Sequence, residues 1–396
     1  MEKTNKQAVA CVIFSFFVMG FCDIVGISSD YAQKAFGWSD TTTGLVPAMV
    51  FVWFLFFSVP AGIRMNRWGR KNTVLIGMAV TIVGTLVPLL RGSWACLAGY
   101  ALIGIGNAIL QVSQNALVGH VVRNERLLSS SLTAGQFVKA ISSFSGPFIM
   151  LFAVNVLGGG NTDNWYLAFP CLGAITLLSG LWLLLTPIER EEPQETTVTV
   201  ASTFGLLRNP TMLLLFLGIF FVVGIDVGTN FTSSKILIQR FGWSLAEAGV
   251  APQVYFICRT VGAFIGMLLM TRLSDVKYYR LNIVVCIAVL LVLAFVPVSA
   301  GVTLGLIGAV GFLCSCIFPT IFAQAVKTEP EKTNLISGLM ITAVAGGGAF
   351  TPLIGMATQQ MQTITAGIAV LLLCAAYLTY CAFFVKAKEK NTTTNV

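Results

Sequence analysis

The chain of 396 residues is a succession of apolar stretches separated by short polar loops. Hydrophobic residues make up 56% of it and charged residues only 10%, whereas about 25% of the residues of a soluble domain are charged. A helix needs roughly 20 apolar residues to cross a bilayer. Stretches of about that length lie at 7–29, 41–63, 72–90, 94–121, 127–156, 164–186, 209–234, 245–271, 279–298, 301–326, 333–359 and 362–385. The sequence therefore predicts an all-α membrane protein with twelve transmembrane helices.

The second half of the chain repeats landmarks of the first half. The tripeptide Phe-Gly-Trp occurs at 36–38 and again at 241–243, an offset of 241 − 36 = 205 residues. The same offset relates two further pairs, Gly106 with Gly311 and Pro147 with Pro352. Two membrane halves related by a parallel repeat are typical of transporters, which bind their solute between the halves near the bilayer midplane. We therefore predict two pseudo-symmetric six-helix halves and a tail, with the boundaries 1–188 for the first half, 189–208 for a polar linker, 209–386 for the second half and 387–396 for the tail.

The basic residues predict how the chain is oriented. An even number of spans places both termini and the linker on one side of the membrane. The loops and ends on that side carry eighteen Lys and Arg residues, against four on the opposite side. Because loops rich in Lys and Arg stay in the cytoplasm, we predict a multi-pass protein of the cytoplasmic (inner) membrane with both termini inside the cell.

The loop between the second and third spans carries a recognisable pattern. Its defining residues are Gly62, Asn66, Arg67, Gly69, Arg70 and Lys71. They resemble the signature G-x-L-x-D-R-x-G-R-R/K of the major facilitator superfamily. The resemblance implies the major facilitator fold and a gating role for this loop. Asn66 stands where the family usually has Asp, so a charge contact at this position is expected to be weakened or replaced by a hydrogen bond.

Three other stretches, at 20–24, 311–322 and 346–352, resemble the fucose permease-like sugar:proton symporters. The resemblance implies a symporter for a small polar solute in which an acidic residue of the first helix, here Asp23, is tied to the proton. A second acidic residue expected in the fourth helix is replaced by Gln111.

Four charged residues lie more than five residues from either end of a predicted span: Asp23, Lys139, Asp226 and Arg259. A charge at the bilayer centre costs about 2.5–3.5 kcal/mol on insertion scales, so each needs a partner or a wet cavity. We assign Asp23 and Asp226 to proton coupling. The alternative is two ion pairs, Asp23 with Lys139 and Asp226 with Arg259, that fix the helix packing and never meet the solute.

Polar residues on the same helix faces are candidates for solute binding. They are Asn107, Gln111, Gln114, Asn115, Gln136, Lys139, Asn230, Tyr255, Arg259 and Thr320. For the Asn and Gln residues of the fourth span, hydrogen bonding between helices is an equally good interpretation.

Three classes of function are consistent with these features. The first is a proton-coupled transporter of a monosaccharide that works by alternating access. The second is a transporter of an organic anion, such as a sugar acid, because Lys139 and Arg259 supply cationic donors that a carboxylate would use. The third, a membrane sensor, is disfavoured because no soluble domain is appended.

An enzyme is not predicted, since the chain has one His and no nucleophile and base at suitable spacing. We expect no cofactor, no metal site and no nucleic-acid partner. The expected partners are the solute, protons and the lipid bilayer, and the protein is expected to function as a monomer.

Overall fold

The computed structural model describes residues 6–38, 40–122, 124, 127–189, 191 and 198–385. The first half contains α1 (Lys6–Gly20), α2 (Ile24–Phe36), α3 (Asp40–Trp68), α4 (Arg70–Leu86), α5 (Ser93–Val121), α6 (Leu128–Phe152) and α7 (Ala168–Leu185). It is followed by α8 (Val200–Phe204), α9 (Pro210–Phe241), α10 (Leu245–Ala248), α11 (Val250–Leu269), α12 (Asp275–Phe295), α13 (Ala300–Cys314), α14 (Ile317–Thr328), α15 (Thr333–Thr342), α16 (Gly347–Met361) and α17 (Ile364–Phe384).

Within the described part of the chain, eleven helical segments are long and apolar enough to cross a membrane. Two of them are pairs of helices that continue one another, α13 with α14 and α15 with α16. The 29 residues of α3 occupy the place of the second predicted span. The order of spans agrees with the sequence-based prediction, and the predicted fold class is confirmed.

The first helix of each half is longer than its apolar stretch. The segment formed by α1 and α2 continues to Phe36, and α9 continues to Phe241, which is seven residues beyond the predicted end in both cases. Both helices end at a glycine, Gly37 with φ of 64° and Gly242 with φ of 68°. Glycine adopts this left-handed conformation without strain and therefore terminates helices. Hydropathy alone does not predict where these helices end, because the end is set by the left-handed backbone conformation of the glycine.

Helix packing in the second half repeats that of the first half. The pairs α1–α6, α3–α5, α4–α5 and α4–α7 correspond to α9–α16, α11–α13, α12–α13 and α12–α17. The halves meet through α3 with α15 and through α6 with α11, and these two contacts are also equivalent under the repeat. This arrangement places α1, α5, α6, α9 and α11 around the space between the halves.

One end of the bundle, which we call the basic face, is formed by the motif at 62–71, the turn at 269–275 and the segment at 328–333. The motif was predicted as a loop, but it is the end of α3 and the start of α4, and only Gly69 lies outside the two helices. The turn at 158–163 lies at the opposite end. Of the predicted linker, residues 190 and 192–197 lie outside the described residues, as does the predicted tail at 387–396. The boundaries of the two halves and the linker stay predictions.

Candidate functional site

Asp23 lies where the first membrane helix changes its geometry. The α-helix α1 ends at Gly20, a 3₁₀ turn covers Phe21–Asp23, and α2 resumes at Ile24. The Asp23 side chain is exposed, whereas Cys22 and Ile24 on either side are buried. Its carboxylate accepts a hydrogen bond from the Ser143 hydroxyl of α6 and interacts electrostatically with Arg259 of the other half. Asp23 therefore faces the space between the halves.

A close contact between α1 and α6 positions this carboxylate. A Cβ atom at Gly20 would lie 2.5 Å from the backbone oxygen of Lys139 and 2.6 Å from Cβ of Ser142. Only glycine fits at this crossing, and the short distance brings Ser143 to Asp23. Ser143 was not among the site residues predicted from the sequence, because the rotation of the helices decides which neighbour Asp23 reaches.

Lys139 is half-buried on α6, one turn before Ser143. Among the described residues, no carboxylate forms an ion pair with its ammonium group. The alternative ion pair between Asp23 and Lys139 is therefore not formed, and Asp23 is hydrogen-bonded to Ser143 instead.

The second half contributes a connected cluster of three side chains. Arg259 donates to Oδ2 of Asp226 at 2.9 Å, and the Tyr255 hydroxyl donates to Oδ1 of the same carboxylate. Tyr255 and Arg259 are four residues apart on α11 and share a face, so one helix holds both oxygens of Asp226 on α9. Tyr255 is completely buried, whereas Arg259 and Asp226 are 28% and 26% exposed. The alternative ion pair predicted here is formed.

The polar side chains of α5 are more buried than the charged residues. Gln114 Nε2 donates to the backbone oxygen of Ser15 on α1 at 2.9 Å, and Asn115 Nδ2 donates to the backbone oxygen of Gln111 at 2.6 Å. The Gln114 bond is the hydrogen bond between helices that the alternative interpretation predicted, whereas the Asn115 bond stays within α5. Asn107 lies against the thiol of Cys22, next to Asp23.

Several acceptor atoms of α5 have no hydrogen-bond partner in the described part of the chain. They are Asn107 Oδ1, Gln114 Oε1 and Asn115 Oδ1. Buried acceptors are normally satisfied. Asn107, with Gln111 one turn further along the helix, is the member of this group that lies beside Cys22, the residue before Asp23.

The remaining candidates lie in different surroundings. Gln136 on α6 and Asn230 on α9 are half-buried. Thr320 is completely buried; its hydroxyl donates to the backbone oxygen of Cys316 at 2.8 Å and contacts the sulfur of Met270 at the end of α11. The structure thus brings Thr320 against the basic face and not into the cluster around Asp226.

The motif at 62–71 binds the other half of the molecule. A Cβ atom at Gly62 would lie 2.6 Å from the backbone oxygen of Asn334. Asn334 Nδ2 donates to Asn66 Oδ1 at 2.8 Å, and Arg70 Nε donates to Asn334 Oδ1 at 2.6 Å. The predicted replacement of a charge contact at Asn66 by a hydrogen bond is therefore what the structure shows.

The motif lacks a carboxylate because Asn66 stands where the family has Asp. Glu191, which follows α7, brings a carboxylate to the same place. Glu191 accepts hydrogen bonds from the backbone nitrogen of Arg70 at 2.7 Å and from its guanidinium at 2.6 Å. Lys71 donates to the backbone oxygens of Leu184 and Thr186 at the end of α7. Gly69, with φ of 80°, leads into α4, and Arg67 lines a cavity of about 610 Å³ beside these groups.

Comparison with known proteins agrees with this architecture. The model of the Major Facilitator Superfamily matches residues 9–352, and the chain therefore belongs to this superfamily of membrane transporters. The computed structure is similar to the crystal structure of FucP in the outward conformation, with a TM-score of 0.86 at 19% identity over 97% of this chain and all of that one.

Three curated relatives show which kinds of transporter the chain is similar to. The chain is 24% identical to the glucose/galactose transporter of Brucella abortus biovar 1 (strain 9-941), over 96% of this chain and 94% of that protein. It is 26% identical to the putative glucose/galactose transporter of Helicobacter pylori (strain ATCC 700392 / 26695), over 99% and 100%. It is 22% identical to the L-fucose-proton symporter of Escherichia coli (strain K12), over 92% and 88%. The predicted resemblance to fucose permease-like transporters is confirmed.

Proposed function

We propose that this protein is a proton-coupled symporter that carries a monosaccharide across the cytoplasmic membrane by alternating access. The observation that carries the proposal is the position of Asp23, an exposed carboxylate midway along a membrane helix that accepts a hydrogen bond from Ser143 of α6. A carboxylate is retained at this depth only where it has a function or a permanent partner. The relatives named for glucose, galactose and fucose support a sugar as the solute.

The two halves offer complementary groups to a sugar. Asn107 and Gln111 of the first half present amide donors and acceptors, and Tyr255 with Arg259 and Asp226 of the second half present charged ones. Hydroxyl groups of a sugar both donate and accept, so a single solute can bind to both halves at once. A solute that contacts both halves binds the closed form more tightly than either open form. Alternating access needs this difference in affinity, because a ligand shifts a conformational equilibrium only by its different affinities for the states.

Asp23 would couple this closure to the proton. While ionised, its carboxylate accepts the hydrogen bond from Ser143. When it is protonated, the negative charge that interacts with Arg259 is lost. The protonated form can be enclosed at a lower desolvation cost than the carboxylate. The carrier can close when the solute is bound and Asp23 is protonated. While Asp23 is ionised, the carrier stays open to water.

The direct test is uptake by purified protein in proteoliposomes. Radiolabelled glucose, galactose and fucose are supplied with and without an imposed pH gradient, acid outside. We expect accumulation above the equilibrium concentration for at least one sugar, only with the gradient, and none when a protonophore collapses it. Equal uptake with and without the gradient would mean that the protein is a facilitated transporter, and it would refute the proton coupling.

The second candidate function is transport of an organic anion such as a sugar acid. One observation favours it: in the described part of the chain, Lys139 has no carboxylate partner, and a solute carboxylate would provide one. Hydrogen bonds between charged groups contribute about 1.5–3 kcal/mol, which corresponds to roughly 10- to 100-fold in affinity.

Substitution of Lys139 separates the two candidates. Lys139→Ala strands no carboxylate, so we expect it to fold and insert like the wild type. If the solute is a neutral sugar, binding of a hexose changes less than about threefold. Binding of the corresponding uronic acid, measured in parallel by calorimetry, is then weak in both proteins. If Lys139→Ala selectively loses binding of the uronic acid and Lys139→Arg restores it, the monosaccharide proposal is contradicted. The solute would then be an organic anion.

We further propose that the basic face lies in the cytoplasm. A cysteine at Thr199, in the predicted linker, is then inaccessible to a membrane-impermeant thiol reagent applied to intact cells, whereas a cysteine at Asn161, in the turn at the opposite end, is labelled. Both positions are exposed, and the ten native cysteines are buried or half-buried, so background labelling is low. Labelling of Thr199→Cys and not of Asn161→Cys would invert the orientation.

A further inference from the structure

Two basic residues lie on the outer surface of the second half, where α12 meets the end of α17. Arg280, in the second turn of α12, donates from Nε to the backbone oxygen of Ala382 on α17 at 2.8 Å. Its guanidinium lies over the ring of Phe383, 5.2 Å from the ring centroid. Lys277, three residues before Arg280, is exposed. Because positions three residues apart share a helix face, both cationic groups project from the same side of α12.

The protein does not neutralise these two cations. Among the residues that the structure describes, no carboxylate forms an ion pair with Lys277 or Arg280, and the two terminal nitrogens of Arg280 donate to no protein group. Asp275, at the start of the same helix, binds elsewhere: its Oδ2 accepts from Lys327 at 3.3 Å and from the Ser129 hydroxyl at 2.7 Å. Donors therefore remain on this surface for an external anion.

The equivalent place in the first half is arranged differently. There α4 packs against α7 as α12 packs against α17. Lys71 of α4 donates to the backbone oxygens of both Leu184 and Thr186 at the end of α7, so these carbonyls use two of the three donors of its ammonium group. In the second half, one nitrogen of Arg280 performs this capping, and the rest of its guanidinium and the whole of Lys277 are left over.

Apolar side chains continue from the two cations along the membrane-facing surface. On α12, Leu281 and Val284 are exposed and lie four and seven residues after Lys277. On α17, Tyr380 and Leu373 are exposed and lie three and ten residues before Phe383. These spacings place each pair on the face that carries the cation or the ring beneath it, and the two helices pack side by side. Two apolar stripes thus run from a cationic end toward the middle of the membrane.

We propose that this surface, formed by Lys277, Arg280 and the two apolar stripes, binds an anionic phospholipid. The lipid phosphate accepts hydrogen bonds from the terminal nitrogens of Arg280 and from the Lys277 ammonium group, and the acyl chains lie along the stripes. Bonds from Arg or Lys to phosphate are stronger than those between neutral groups, and basic pockets between membrane helices bind anionic headgroups. The sequence after α17 adds three lysines and one glutamate at 386–390. The proposal depends on neither the solute nor the proton.

Three variants distinguish this surface from a general attraction between a basic protein and anionic lipid. Lys277→Ala removes an exposed cation and strands no carboxylate. Arg280→Gln removes the charge and keeps an N–H group for the carbonyl of Ala382. Arg64→Gln is the matched control, because Arg64 is exposed at the basic face of the first half and lies over Trp68 at 5.6 Å, as Arg280 lies over Phe383.

The test is native mass spectrometry of the purified full chain in detergent, titrated with phosphatidylglycerol or with phosphatidylcholine of the same acyl chains. We expect the wild type to bind phosphatidylglycerol more tightly than phosphatidylcholine. Lys277→Ala and Arg280→Gln should each weaken binding of phosphatidylglycerol about fivefold, the contribution of one basic residue near anionic lipid. Arg64→Gln should bind like the wild type. Inorganic phosphate at the same concentration should not displace the lipid, because it has no acyl chains.

The melting temperature gives a second measurement on the same proteins. A lipid that binds the folded chain stabilises it, so phosphatidylglycerol should raise the melting temperature of the wild type and of Arg64→Gln more than that of Lys277→Ala. This comparison also decides the matter if Arg280→Gln fails to fold, because the exposed Lys277 has no structural partner to lose.

Equal affinity of the wild type for the two lipids would overturn the proposal. It would also be overturned if Arg64→Gln weakened binding as much as Lys277→Ala, since net charge alone would then attract the lipid. Wild-type affinity in Lys277→Ala would show that the headgroup is not held here. Lipid binding is measured without solute, so a failure of sugar uptake does not affect this result, and loss of the lipid surface leaves the proposed function intact.

Discussion

Replacing Asp23 by Asn is expected to abolish accumulation of solute driven by a pH gradient while exchange of solute across the membrane continues. The amide keeps the size of the carboxyl group and can still bond to Ser143, but it has no proton to lose. The carrier is then fixed in the neutral form and can move between its two orientations only as a facilitated transporter. We expect accumulation to fall to the equilibrium level, whereas counterflow of preloaded labelled sugar keeps the same order of magnitude.

Two variants provide the controls for this result. Asp163→Asn removes an exposed acidic residue far from the site and should accumulate solute like the wild type. Ser143→Ala removes the hydrogen bond to Asp23 and leaves the carboxylate, so accumulation should persist with a shifted pH dependence. Accumulation at the wild-type level in Asp23→Asn would instead assign the coupling to another carboxylate, of which Asp226 is the candidate inside the membrane.

The largest combined effect on stability and transport is expected for Arg259→Ala. Removing one partner of a buried ion pair leaves an uncompensated charge and costs about 3–5 kcal/mol. Here the two side chains are partly exposed, so solvent reduces the cost, and we expect about 1–3 kcal/mol. The variant should melt at a lower temperature than the wild type, and transport should be lost because Asp226 can no longer be presented to the solute in the same geometry.

A double variant tells whether the pair only stabilises the fold. Asp226→Asn combined with Arg259→Gln removes both charges, so the melting temperature should recover toward the wild-type value while transport stays absent. Tyr255→Phe removes one hydrogen bond from a fully buried ring and should cost about 0.5–1.5 kcal/mol. Normal transport by the double variant would show that Asp226 and Arg259 serve the packing of α9 and α11 and take no part in the cycle.

Interactions that follow from residue type alone were predicted most reliably. Asp226 and Arg259 were singled out because charges inside apolar stretches need partners, and they form an ion pair. The replacement of a charge contact at Asn66 by a hydrogen bond also followed from the motif alone. In both cases the type of residue limits the kind of interaction, so that the interaction could be predicted before its partner was known.

Residues whose role depends on helix rotation were not predicted. One alternative paired Lys139 with Asp23, but the crossing of α1 and α6 at Gly20 brings Ser143 and not the ammonium group to Asp23. Thr320 was expected near the solute, whereas the structure packs it against Met270. A polar face can be derived from spacing along one helix, but the neighbour it meets depends on the angle and depth of a second helix.

The sequence by itself predicted twelve membrane spans, a repeat of the two halves offset by 205 residues, and the charged residues that lie inside the spans. Those features depend on apolar run length, on spacing and on the cost of burying charge, all of which are local or additive along the chain. Only the tertiary structure decided that Glu191 completes the loop motif, 121 residues away from Arg70, and that Asp275 meets Ser129 across the interface of the halves. Such contacts depend on how packed helices and the segments between them dock against one another, and the surface that each presents is known only after the helices have packed.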